Sequence, residues 1–155
     1  MSVFPSIGFS TGVYYPHTSI KESLRILKEK GVKVVEVGSD YAKLHTDDSE
    51  EITAEDLEGF EYISLHAPAW GYDHDGDTKK IFQKIEKLQS LCNLDLVVIH
   101  PDAIQDISVF QNFSFPIGFE NMECPKSSHK TAGEMKDLLD CVPSAKMVLD
   151  VNHIW

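Results

Sequence analysis

Short runs of apolar and β-branched residues alternate along the chain with stretches in which apolar positions recur every three or four residues. The runs are Ile7–Phe9, Lys33–Val37, Tyr62–Leu65, Leu96–Ile99, Pro116–Phe119 and Lys146–Leu149. Each has the length of a strand. Nearly continuous apolar strands separated by helices predict a parallel sheet covered on both faces. The helices between them have readable ends. Ser19 followed by Glu22 reads as a capping box, with Ile20, Leu24 and Leu27 on one stripe and Gly31 closing the helix. A long helix near Thr78–Cys92 carries Ile81, Ile85, Leu88 and Leu91 on one face. Thr131 and Glu134 make a second capping box, with Met135, Leu138 and Leu139 apolar and Pro143 just past the end. Thr53 caps a short helix through Leu57, and another short helix follows Asp102.

The centres of the six runs lie about 28 residues apart, so eight such units need roughly 225 residues, the size of a (β/α)₈ barrel. The 155 residues reach only the sixth strand. The expected fold class is therefore α/β: a single domain over residues 1–155, a TIM-type (β/α) barrel truncated after the sixth parallel strand. Six strands do not close with the tilt and shear of eight. Ile7–Phe9 and Lys146–Leu149 are then open edges, apolar and without a proline to blunt pairing. A longer native chain, poor solubility or association of copies follows from bare edges, and a homo-oligomer through them is the outcome expected for these 155 residues.

Composition narrows the class. Hydrophobic residues make up 42% and charged residues 25%, ordinary values for a globular domain. No apolar stretch approaches the ~18 residues of a membrane helix, and Met1–Phe9 has neither a basic leader nor a long apolar run. Cys92, Cys124 and Cys141 are too few and too scattered for a disulfide framework, which points to a reducing, cytoplasmic setting. The net charge is −11 and Arg25 is the only arginine. Arginine is the favoured fork for phosphate and nucleic-acid binders carry a basic face, so extensive DNA or RNA contact is disfavoured.

Candidate chemistry sits at the strand ends. Tyr62–Leu65 runs into His66, Leu96–Ile99 into His100, Pro116–Phe119 into Glu120, and Lys146–Leu149 into Asp150. One strand-end histidine is usually capped or solvated; four ligand-type residues at matching positions of successive strands are a pattern. Neighbouring strands lie ~4.8 Å apart, so inward side chains there converge on one or two ions, and the carboxyl end of a parallel barrel is where active sites form. Two histidines and a glutamate make a catalytic zinc set with room for water or substrate. Glu120 stands beside Asp150 across the sheet and can bridge to a second metal. His153 can turn back into the same mouth as ligand or substrate contact. Zinc or manganese suits imidazole better than magnesium does.

The ordered set His66-Ala-Pro, Val98-Ile-His100-Pro, Phe119-Glu120-Asn121 and Leu149-Asp150-Val-Asn-His153 resembles the xylose-isomerase-like TIM barrels over essentially the whole chain. That superfamily includes endonuclease IV and many sugar or sugar-phosphate isomerases and epimerases. Likeness to endonuclease IV implies that His66, His100 and Glu120 hold one metal, that Glu120 bridges to a second with Asp150, and that His153 serves a third. Likeness to the epimerases implies Glu120 and Asp150 as ligands to a single divalent ion, with Glu120 also an acid/base beside the substrate carbon. Both patterns draw further ligands from a seventh and an eighth strand.

Other signals are weaker. Gly8-Phe9-Ser10-Thr11-Gly12 spells a nucleophile elbow, but on a first strand with no helix directly after it. His100-Pro101-Asp102 copies a J-domain tripeptide without the basic helix before it. Asp73-His-Asp75-Gly-Asp77 fails as a calcium loop because Thr78 and Lys84 stand where glycine and glutamate are needed. Trp70 and Tyr72 follow His66 closely enough to stack on a sugar or a base, and Asn121 lies beside Glu120 as a substrate contact. The expected function is a divalent-metal-dependent isomerase or epimerase of a small sugar or sugar phosphate, with Glu120 and Asp150 catalytic. The alternatives are an endonuclease-IV-like enzyme cutting abasic DNA with zinc, and an inactive barrel fragment.

Overall fold

Six strands form one sheet in the computed structural model, which describes residues 7–14, 17–43, 52–111 and 113–154. They are β1 (Phe9–Ser10), β2 (Val34–Val37), β3 (Tyr62–His66), β4 (Leu96–Ile99), β5 (Ile117–Glu120) and β6 (Lys146–Val148). Their order in the sheet is their order in the chain, and every neighbouring pair is parallel. The helices are α1 (Ile20–Glu29), α2 (Ala54–Leu57), α3 (Gly76–Leu91) and α4 (Ala132–Cys141), with 3₁₀ turns at Pro101–Ala103 and Ile107–Phe110 where one short helix was expected after Asp102. This is the expected truncated barrel. Residues 1–6 of the segment searched for a leader lie outside the described residues, and among those described no helix is long and apolar enough to cross a membrane.

The two faces of the sheet have different jobs. Val35, Val37, Leu65, Val97, Ile99 and Phe119 point outward and are fully buried. They meet Leu24 and Leu27 of α1, Ile81, Ile85 and Leu88 of α3, and Met135 and Leu138 of α4 in one core. Each such buried aliphatic contributes about 1.5–3 kcal/mol. The alternate residues, two apart along each strand, face the barrel interior: Ser10, Glu36, Ser64, His66, Val98, Gly118 and Glu120. The helix-covered face thus secures the sheet and leaves the inner face free for polar groups.

The caps mostly follow the sequence. Glu134 accepts from the Thr131 N–H and hydroxyl while Thr131 Oγ1 accepts from the Glu134 N–H, a complete capping box. Ser19 accepts from the Glu22 N–H, but the reciprocal half is missing because Glu22 binds Arg25 instead. Gly31 closes α1 with φ of 75°, a left-handed conformation that glycine adopts without strain. Asp75, in the stretch that fails as a calcium loop, is the N-cap of α3 and accepts from the Thr78 N–H at 2.7 Å. Asp75→Ala is expected to destabilise the fold by about 1 kcal/mol, read as a lower urea midpoint with unchanged slope.

The edge strands are shorter than their apolar runs. β1 begins at Phe9 and leaves Ile7 81% exposed; β6 ends at Val148 and leaves Leu149 exposed. Each has a hydrogen-bonded neighbour on one side only, so less of its apolar run is held in register.

Candidate metal centre

The parallel register brings the strand-end residues to one face, in steps rather than on one level. His66 is level with Val98, which places His100 two residues further along the same face. Phe119 is level with Ile99, so Glu120 stands beside His100. Val148 is level with Glu120, and Asp150 lies two residues beyond it. The ascent from His66 to Asp150 is the stagger of a tilted barrel sheet.

Two ligand sets result, and Glu120 belongs to both. The first is His66, His100 and Glu120; the second is Glu120, Asp150 and His153; within each, the candidate donor atoms lie within 4.8 Å of one another. His100 Nε2 is 2.9 Å and His66 Nε2 3.5 Å from the same oxygen, Glu120 Oε2. On the other side His153 Nδ1 is 3.9 Å from Glu120 Oε1, and its Nε2 is 3.5 Å from Asp150 Oδ2. The 3₁₀ turn Val151–Ile154 aims His153 back into the mouth.

Outer partners fix the rings. His66 Nδ1 lies 3.0 Å from the Ala67 carbonyl and His153 Nδ1 2.7 Å from the Asn121 carbonyl. A proton on each Nδ1 leaves Nε2 with its lone pair turned to the site, the tautomer a ligand histidine needs. Asn121, expected at the substrate, is 5% exposed, and both ends of its amide hold the backbone of Asp150: its Nδ2 donates to the Asp150 carbonyl at 3.1 Å and its Oδ1 accepts from the Asp150 N–H at 2.7 Å. Its visible part is to lock β6 to β5.

Glu120 is 7% exposed, and its fully buried Oε2 has no hydrogen-bond partner among the described residues. The neighbouring imidazoles are close without donating an aligned N–H. A buried carboxylate oxygen left so is costly, whereas an ion between it and two imidazole nitrogens satisfies all three. The donor set therefore fits a divalent metal, with histidine favouring zinc or manganese.

The titrating groups respond to one another. Burial alone would raise Glu120, but the His100 and His66 imidazoles at Oε2 outweigh it and hold the carboxyl well below the usual range. Burial disfavours His66 protonation, yet Glu120 and the negative charge of Glu36 reverse this and leave it above its ordinary value. His153 is raised by its bond to the Asn121 carbonyl, against burial, with help from Asp150 and Glu120. Metal requires its imidazoles neutral, so at His66 and His153 protons compete with it up to a higher pH than for free histidine. As pH is lowered, affinity is expected to start falling while still above pH ~6.5, and then to drop by up to about tenfold per pH unit for each bound proton displaced. Calorimetry in buffers of different ionisation enthalpy reads both the fall and the protons released.

Around the centre, Trp70 is half-buried and packs against the main core. Tyr72, offered with it as a stacking surface, is fully buried; its ring packs against Phe82 and Phe110, and its hydroxyl donates to the Pro68 carbonyl at 2.6 Å. It is a core residue. Two carboxylates escaped notice in the sequence. Glu123 Oε2 lies 3.7 Å from His153 Nε2, and Glu36 lies inside an otherwise apolar strand. A charge between Val35 and Val37 was the readable signal for the latter.

Known structures share this arrangement of strands. The probable 3-DHS dehydratase AsbF, involved in petrobactin synthesis in Bacillus anthracis, superposes with a TM-score of 0.67 at 18% identity over 97% of this chain and 65% of that one. The protein SMc04130 of Sinorhizobium meliloti 1021 gives 0.66 at 11% identity, over 97% and 64%. Endonuclease IV of Thermus thermophilus gives 0.59 at 15% identity, again over 97% and 64%. The chain has the fold of the xylose-isomerase-like TIM barrels. It spans about 65% of the length of the structures it matches. No family model matches the sequence, and neither does any curated protein. Within the xylose-isomerase-like fold, the two ligand sets occupy the carboxyl mouth of the sheet, where such barrels carry their chemistry.

Proposed function

We propose that the chain forms the metal-centre part of a divalent-metal-dependent isomerase or epimerase acting on a small sugar or sugar phosphate. The observation that carries this reading is Glu120, a buried carboxylate shared between two ligand sets at the carboxyl mouth. His66, His100, Glu120, Asp150 and His153 would hold the ion or ions. A divalent metal there supplies charge that polarises a carbonyl and a neighbouring hydroxyl of bound substrate. Glu120 and Asp150 would be the carboxylates that take a proton from the adjacent carbon and return it. Asn121 keeps Asp150 at its station, and Trp70, four residues after His66 in the chain, would be the ring that meets a sugar face. Likeness of fold to a probable dehydratase and to endonuclease IV supports an enzyme without choosing the reaction.

Charge favours a small substrate over DNA. The one arginine, Arg25, lies on outer helix α1, where Glu22 and Glu29 pair with it. A second reading, an endonuclease-IV-like phosphodiester hydrolase, is favoured by the two histidines of the first set. The exposed edge residues Phe9, Met147 and Leu149 support association of copies through β1 and β6, which light scattering reads directly.

The test uses metal-loaded protein with pentoses and pentose 5-phosphates in D₂O. Metal-dependent deuterium incorporation beside the carbonyl, lost in Asp150→Asn, is expected. Incision of abasic duplex DNA that His100→Ala abolishes, with no deuterium uptake, moves the assignment to the hydrolase. Neither activity leaves the inactive-fragment reading.

A further inference from the structure

A cleft of about 420 Å³ adjoins the metal centre on the side of β1 and β2, lined by Ser10, Gly12, Glu36, Gly38, Ser39, Asp40, Lys43 and His66. His66 lines the cleft and also belongs to the first ligand set, so the cleft borders the candidate metal centre. Glu36 is on the inner face, level with Ser10 on one side and Ser64 on the other, one layer below His66. The residue above it is Gly38. A Cβ there would meet Thr11 Oγ1 at 3.2 Å, while the Gly38 N–H donates to that oxygen at 2.8 Å. Glycine thus lets the end of β2 pack closely against Thr11 at the rim of the cleft.

The chemistry of the lining is uneven. Asp40 is paired with Lys43. Ser10 Oγ accepts the Gly12 N–H and keeps its own proton to donate. Glu36 is half-buried and its negative charge acts on His66, but among the described residues no hydrogen bond or close ion pair holds its carboxylate. A partly desolvated carboxylate with no direct hydrogen bond to its neighbours accepts hydrogen bonds from hydroxyls and repels anions.

We propose that Glu36 is a substrate-binding residue, accepting hydrogen bonds from the hydroxyls of an uncharged, polyhydroxylated segment of the substrate that lies in this cleft. The proposal rests on the sugar-enzyme reading and adds to it the direction of the substrate. The hydroxylated tail points over β2 toward β1, and any phosphate lies at the other end, away from Glu36. Carboxylate–hydroxyl pairs of this kind are worth roughly a 10–100-fold change in affinity.

Ribitol and inorganic phosphate are the probes, titrated into metal-loaded wild type, Glu36→Gln and Glu36→Ala, with amide shifts of Gly12 and Gly38 as the local readout. Ribitol is expected to shift those amides in wild type and to bind at least about tenfold more weakly to both variants, while elemental analysis shows their metal content unchanged. Phosphate is expected not to displace ribitol from wild type. Ribitol binding within twofold across the three proteins overturns the proposal, as does its absence in wild type or its displacement by phosphate. The deuterium test separates the two levels: exchange that is indifferent to Glu36 sinks this inference alone, and Glu36-dependent ribitol binding with no exchange on any sugar sinks the isomerase reading alone.

Discussion

Glu120→Ala is expected to abolish metal binding at both ligand sets in one step, whereas His153→Ala should cost only the second. Loss of a residue that merely orients a ligand weakens metal binding about 10–100-fold. Among the described residues, Glu120 is the one carboxylate grouped with His66 and His100 in the first set and is also shared with Asp150 and His153, so the effect of its removal should exceed ~100-fold at each. Calorimetry and elemental analysis after reconstitution decide it. Wild-type stoichiometry in Glu120→Ala, or equal losses in Glu120→Ala and His153→Ala, would show that the sharing has no energetic meaning.

One residue earlier on the same strand, the effect should fall elsewhere. Phe119 is fully buried on the opposite face of β5, edge-on to Phe110 at 5.7 Å between ring centres. Phe119→Ala is expected to cost about 3–5 kcal/mol and to lower Tm by roughly 10 °C for a domain of this size. Metal affinity of the molecules that remain folded should be unchanged, because the outward side chain touches no ligand. A small Tm shift with lost metal binding would mean that the assignment of faces along β5 is inverted.

The strands were legible because a sheet covered on both faces asks for unbroken apolar runs, and Leu96–Ile99 meets that demand residue for residue. Strand ends were legible for the opposite reason: His66, His100, Glu120 and Asp150 interrupt the apolar pattern where the chain leaves the core. What could not be read was relative height. Register across a parallel pair is set by how two distant segments slide past each other, so the stepped placement of His66 below His100 and of Asp150 beyond Glu120 has no local signature. Tertiary competition also hid side-chain choices. Glu22 had a backbone N–H and Arg25 within reach and took the guanidinium; Asn121 looked like a substrate contact and serves the backbone of Asp150. Glu36 was visible as a charge amid valines, but one carboxylate gives no hint of the cleft it lines.

The two ligand sets rest on unequal foundations. The first is carried by β3, β4 and β5, each flanked by strands on both sides. Asp150 and His153 follow β6, a three-residue edge strand held to the rest through its pairing with β5 and through Asn121. Brief detachment of such a strand costs less free energy than opening the middle of the sheet. It would carry off Asp150 and His153 together while His66, His100 and Glu120 stay in place. In this six-stranded sheet, an ion in the second set would therefore be released more readily than one in the first. The Asp150 amide, whose partner is the Asn121 side chain, is one proton whose exchange with solvent would follow that fraying.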